Sequence, residues 1–232
     1  MSANFFHFSS QDSLIEFFSK EICKRLEIAI CKKGEASLLV SGGNTPKALF
    51  VKLSQIDLDW EKVKIGLVDE RWINEDSKDS NSYLVREFLL KDKAAKATFI
   101  PLYKKEINAA DAEELCSSLV KEKLYPCDVL ILGMGNDAHT ASLFPNNDKL
   151  IDALNLENQN YCISMNPQTA PYSRMSLTLS AILEAEKIYL HIEGKNKKEV
   201  YDKALIENDY YISPISAVLK NNRKQIEVYY NE

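Results

Sequence analysis

Three short apolar runs constrain this chain more than any other feature. Ser37–Ser41 (SLLVS), Val63–Asp69 (VKIGLVD) and Asp128–Leu132 (DVLIL) each break off at a loop of unusual chemistry: GGNTP, ER and GMGNDAH. Continuous apolar runs of this length read as strands buried on both faces. Helical spacing lies between them. In Ser13–Lys32 the apolar residues Leu14, Phe17, Phe18, Ile22, Leu26 and Ile30 recur on one face. Thr45 followed by Pro46 reads as a cap and first helical residue, opening a helix to about Ile56. Ser82–Leu90 reads as a helix, and Asn108 with Asp111 reads as the start of one ending near Leu124. Strands alternating with helices pair in parallel. The expected fold is α/β: a single-domain open, mostly parallel sheet with helices on both faces, Rossmann-like and doubly wound.

The second half is less regular. Tyr161–Ser164, Arg174–Leu179, Ile188–Ile192 and Gln225–Tyr230 read as strands, and Ser180–Glu186, Lys195–Glu207 and Pro214–Leu219 as helices. No repeat, low-complexity tract or linker divides the chain, so residues 1–232 are expected to form one domain.

Composition removes several classes. No apolar run approaches the ~20 residues that cross a bilayer. The start, MSANFFHFSSQDS, lacks a basic region followed by an apolar core, so no signal peptide is expected. Five cysteines at irregular spacing form neither a disulfide framework nor a zinc motif, which predicts a reduced, cytoplasmic chain without a metal. Net charge is −5 with no basic stripe, so nucleic acid is not an expected partner.

In an open parallel sheet, ligands bind beyond the carboxyl ends of the strands, so the three loops are expected to meet on one edge. GGNTP offers backbone N–H groups and a helix start, a seat for an anion. It is not a Walker loop, since no GK[ST] follows. In Asp69-Glu70-Arg71 the arginine can grip a phosphate, and the acids can hold it or bind hydroxyls. In GMGNDAH, His139 follows Asp137 by two residues, the pattern of a base oriented by a carboxylate. His7 and His191 lie inside strand runs and read as structural. Gly133-x-Gly135-x-x-Ala138 also matches a dinucleotide fingerprint. However, Pro145 cuts the segment short and no acid-ended strand follows near residues 150–160, so no cofactor is expected. Only seven glycines occur, about 3% against a typical ~7%, and four of them are Gly42, Gly43, Gly133 and Gly135.

With these loops in order, the sequence resembles the 6-phosphogluconolactonase branch of the glucosamine-6-phosphate isomerase/6-phosphogluconolactonase family. The matching stretches are SGGNTP (41–46), DERW (69–72) with SN (80–81), LGMGNDAHTASLFP (132–145), RMSLTL (174–179) and GKNK (194–197). The deaminase branch tends to read IAFNEP after the histidine, where this chain reads TASLFP.

The resemblance implies hydrolysis of 6-phospho-D-glucono-1,5-lactone to 6-phospho-D-gluconate. The enzyme would need no cofactor and act as a monomer or small homo-oligomer on a small sugar-phosphate lactone, without nucleic acid or membrane. It implies His139 as general base with Asp137 beside it. It implies Arg71 as phosphate ligand, with the loop of Ser41, Gly42, Gly43 and Thr45 lining the site. Asp69, Asn81, Arg174 and Lys197 follow as further site residues. Backbone N–H groups near Gly133 and Gly135 would sit at the oxyanion. A sugar-phosphate deaminase/isomerase and a non-catalytic sugar-phosphate sensor are the alternatives.

Three departures stand out. The family commonly has Asp-Gly-His where this chain has Ala138. The lysine that precedes Arg-x-Thr-Leu-Thr in some members is missing from Asn166–Pro171. Ser176 replaces the usual threonine.

Overall fold

The computed structural model describes residues 3–232. The first half runs β1 (Asn4–Phe8), α1 (Gln11–Lys33), β2 (Ala36–Val40), α2 (Lys47–Gln55), β3 (Val63–Leu67), β4 (Asp69–Arg71), α3 (Asn81–Phe88), β5 (Thr98–Phe99), α4 (Glu113–Leu124) and β6 (Val129–Leu132). The second half runs α5 (Leu150–Leu154), β7 (Cys162–Met165), β8 (Arg174–Leu177), α6 (Leu179–Glu184), β9 (Lys187–Glu193), α7 (Lys195–Ile206), α8 (Pro214–Leu219) and β10 (Ile226–Asn231).

Seven strands form one parallel sheet in the order β1-β10-β9-β6-β2-β3-β5. β2 and β6 are buried at every position, which is why their sequences lack an alternating polar face. From β2 the chain steps outward to β3 and β5, then returns to lay β6 on the other side of β2. That reversal opens a crevice beyond the carboxyl ends of β2 and β6. GGNTP leaves one lip and GMGNDAH the other.

Helices flank the sheet. α1 buries Leu14, Phe18, Ile22 and Leu26, and Phe18 stacks on Tyr229 with ring centroids 4.3 Å apart. Fully burying side chains of this size contributes roughly 1.5–3 kcal/mol each. The start of α1 is set by Ser10, whose side chain accepts from the Ser13 N–H, and its end by Gly34 at φ 84°. No helix among the described residues is long and apolar enough to cross a membrane. All five cysteines are free thiols.

The structure corrects the sequence reading in three places. Thr45 does not cap α2: Pro46 takes that position in the right-handed helical region, without a side-chain cap. Asn108 and Asp111 close a turn on each other, and α4 begins only at Glu113. Asp69–Arg71 is not a loop but a strand. With β7 and β8 it builds a second, antiparallel sheet in the order β4-β8-β7.

Candidate active site

Ser41 fastens the two lips of the crevice together. Its N–H and Oγ both donate to the Ile131 carbonyl, at 3.1 and 3.0 Å, and its Oγ accepts from the Gly133 N–H at 3.0 Å. The next four N–H groups, of Gly42, Gly43, Asn44 and Thr45, donate to no partner among the described residues. Gly43 holds φ +97°, a conformation open to glycine. Successive unpaired N–H groups at the foot of a helix make an anion-binding concavity. Gly42 is required for a different reason: a Cβ there would fall 1.8 Å from Asn81 Oδ1.

β4 supplies the charge. The Glu70 carboxylate turns inward and accepts from the N–H groups of Arg71 (2.8 Å), Asn81 (2.7 Å) and Ser82 (2.8 Å) and from Ser80 Oγ (3.1 Å). Burial pushes its pKa up despite these donors. Glu70 therefore anchors the start of α3. Asp69 accepts from Ser142 Oγ at 2.6 Å, and its carbonyl accepts from Asn81 Nδ2 at 2.8 Å. Arg71 reaches out and donates to the Asp79 carbonyl at 2.5 Å.

The third loop folds back on itself. Gly135 N–H donates to the His139 carbonyl at 2.8 Å, and Thr140 Oγ1 to the Gly133 carbonyl at 2.8 Å. This tight turn brings His139 Nδ1 to 2.5 Å from Asp137 Oδ1, while Phe144 lies against the imidazole at 4.5 Å between centroids. Burial raises the Asp137 carboxyl, but the hydrogen bond and charge of His139 outweigh it and hold it below the ordinary carboxylate value. An ionised Asp137 accepts from Nδ1–H, which leaves the lone pair on His139 Nε2.

The turn requires Ala138 at φ 67°, with its carbonyl pinned by the Ile215 N–H at 3.1 Å. The left-handed region costs an L-residue roughly 1–2 kcal/mol, and a β-branched one more. Ala138→Gly removes that strain but also loses a buried methyl worth ~0.8 kcal/mol and gains unfolded-state entropy. Its stability is expected to stay within about 1 kcal/mol of the parent. Ala138→Val is expected to lose about 2–3 kcal/mol in urea denaturation. Equal stability of all three proteins would contradict the strain argument.

One cavity of about 230 Å³ collects these groups. Ser41, Gly42, Gly43, Thr45, Asp69, Arg71, Asn81, Gly133, Gly135, His139 and Lys197 all border it. Asp137 stands behind His139. Lys197 enters from the first turn of α7. Burial pulls its ammonium below the ordinary lysine value, opposed by the charge of Asp137.

Two expectations are not met. Arg174 is buried outside the cavity, where its Nη1 donates to the carbonyls of Pro171 (2.5 Å) and Tyr172 (3.0 Å) and holds their loop. The N–H groups of Gly133 and Gly135 are spent on Ser41 and His139, which leaves that of Met134 unengaged among the described residues. His191 also borders the cavity, although its place within a strand read as structural. It lies two residues from the carboxyl end of β9, on the sheet edge where the other loops meet.

Comparison with known proteins agrees with this layout. The family described as Glucosamine-6-phosphate isomerases/6-phosphogluconolactonase matches residues 9–228. A 6-phosphogluconolactonase of Rhizobium meliloti is 41% identical over 230 residues, 99% of each chain. One of Helicobacter pylori is 38% identical, covering 94% of this chain and 97% of the relative. The crystal structure of a 6-phosphogluconolactonase from Shewanella baltica superimposes with a TM-score of 0.96 at 39% identity, covering 99% of this chain and 98% of that one. With fold, loop order and full-length similarity in accord, the chain belongs to the glucosamine-6-phosphate isomerase/6-phosphogluconolactonase family.

Proposed function

We propose that this chain is a cytoplasmic 6-phosphogluconolactonase, acting as one domain over residues 1–232. It hydrolyses 6-phospho-D-glucono-1,5-lactone to 6-phospho-D-gluconate. The observation that carries the reading is the sharing of one cavity by the Asp137-oriented His139 and a loop of four unpaired N–H groups. A base and an anion seat side by side suit a phosphorylated ester.

The phosphate sits on the Gly42–Thr45 N–H groups with Arg71 and Lys197, which fixes the ring relative to His139. His139 Nε2 takes a proton from water as the water oxygen attacks C1. The carbonyl oxygen becomes an oxyanion, to which the Met134 N–H donates. Collapse restores the carbonyl and breaks the bond from C1 to the ring oxygen, which receives the proton from His139. An activated ester of this kind needs no covalent intermediate.

The test is hydrolysis of freshly generated δ-lactone, corrected for spontaneous opening, with glucosamine 6-phosphate as the comparison substrate. Lactone turnover without ammonia release supports the reading. Ammonia release, or tight phosphosugar binding without turnover, overturns it.

Lys197 gives this reading a pH signature. A phosphate dianion favours the charged ammonium, so affinity falls as pH rises through the Lys197 pKa, which burial places below the ordinary lysine value. Calorimetric affinity for 6-phosphogluconate is expected to decline in the alkaline range. Lys197→Met should bind roughly tenfold more weakly at neutral pH and lose that decline. A decline that persists in Lys197→Met removes the lysine from phosphate binding.

A further inference from the structure

His191 is 2% exposed, yet it borders the cavity, and its Nδ1 is buried without a hydrogen-bond partner among the described residues. Its other nitrogen is well held: Nε2 lies 3.0 Å from Glu193 Oε1. Gln11 Nε2 donates to the second oxygen of that carboxylate at 2.9 Å. Burial raises the Glu193 carboxyl, but the hydrogen bonds from His191 and Gln11 help bring it below the ordinary value. An ionised Glu193 accepts from Nε2–H and so fixes the tautomer, leaving the lone pair on Nδ1. Phe18 stands edge-on to the imidazole at 5.5 Å and limits its rotation.

A buried acceptor without a partner costs roughly 1–3 kcal/mol. A purely structural histidine in this strand could be replaced by an apolar residue at no such cost. The chain instead orients the histidine through Glu193 and Gln11 and keeps one nitrogen without a protein partner in a side chain that borders the cavity.

We propose that His191 is a ligand-positioning residue: its Nδ1 accepts a hydrogen bond from a hydroxyl group of a polyhydroxy phosphate ester bound in the cavity. This rests on the lactonase reading and extends it. His139 acts on the reacting carbon, while His191 reads a hydroxyl and so distinguishes a sugar phosphate from a bare phosphate or a deoxygenated analogue. Sites built to bond a hydroxyl reject analogues that lack it, because the buried partner is then left unpaired.

The test compares wild type, His191→Phe and His191→Gln on the δ-lactone and on its 2-, 3- and 4-deoxy analogues. Wild type is expected to lose about tenfold in kcat/KM on one deoxy analogue. His191→Phe should lose about tenfold on the parent lactone, mostly in KM, with no added loss on that same analogue. His191→Gln, which keeps an acceptor, should recover part of the loss.

Nitrogen NMR of the wild type supplies a readout that needs no variant to fold. A non-protonated Nδ1 of His191 should shift on saturation with 6-phosphogluconate and not with inorganic phosphate. Equal losses by wild type and His191→Phe on every analogue, or an Nδ1 resonance unmoved by 6-phosphogluconate in a chain that turns over the lactone, overturns the proposal. A wild type without lactonase activity overturns the underlying reading and this one with it, so the two failures are told apart by the wild-type assay.

Discussion

His139→Ala is expected to lower kcat by about 10²–10⁴-fold, the usual contribution of a positioned general base. Binding of 6-phosphogluconate should stay near that of the parent, because the groups placed around the phosphate stand on other elements. Those groups are the Gly42–Thr45 N–H donors, Arg71 on β4 and Lys197 on α7. The imidazole is about a third exposed and touches Asp137 and Phe144, so its removal leaves no large void. The measurement is steady-state turnover of fresh δ-lactone together with calorimetric binding of the product. Turnover near that of the parent would remove His139 from the chemistry. A parallel collapse of binding would make it a binding group instead.

Gly135→Ala is expected to cost about 10²-fold in kcat although it removes no reacting group. A Cβ at this position would lie 2.2 Å from His139 Nδ1 and 2.3 Å from Asp137 Oδ1, so the pair must move apart or swing away. Misplacing a catalytic group by about 1 Å is enough for a loss of that size. Gly133 supplies the control. Its added Cβ would meet only Ser41 Cβ at 3.9 Å, an ordinary contact, and Gly133→Ala should turn over near the parent rate. If both variants fell equally, the loop as a whole would be intolerant and the specific clash would not be the cause. If neither fell, the His139–Asp137 contact would be dispensable.

The parallel sheet and its edge were legible because β2, β3 and β6 are mostly apolar runs that end in loops rich in glycine or charge. The rule that ligands gather at the carboxyl ends of such strands points to Ser41–Thr45, Asp69, Arg71 and His139, and the family resemblance adds Asn81; all of them border one cavity. Periodicity could not show the second sheet. β4, β7 and β8 are three or four residues long, and the β4–β8 pairing joins segments about 100 residues apart. Arg174, a site residue only by the resemblance, does not border the cavity. In a strand of four residues, nothing local says which face meets the loop and which meets the ligand. Which N–H near Gly133 and Gly135 stays free is decided by tertiary folding: those two groups donate to Ser41 Oγ and the His139 carbonyl, and the Met134 N–H between them donates to no partner among the described residues. Ala138 was readable from the family pattern alone, and its φ of 67° shows the chain keeping a left-handed turn without the residue suited to it.

Arg71 and His139 ride on different sheets. Across the seam between them, Ser142 Oγ donates to Asp69, Ser142 N–H donates to Ser176 Oγ at 3.1 Å, and Leu177 N–H donates to the Val68 carbonyl at 2.8 Å. On the proposed reading, a sugar phosphate gripped by the arginine at one end and presented to the histidine at the other would span that seam as a strut. The two halves then hold each other in register through the molecule they act on. Occupancy therefore stiffens the enzyme as a whole, by an amount set by ligand concentration relative to its dissociation constant.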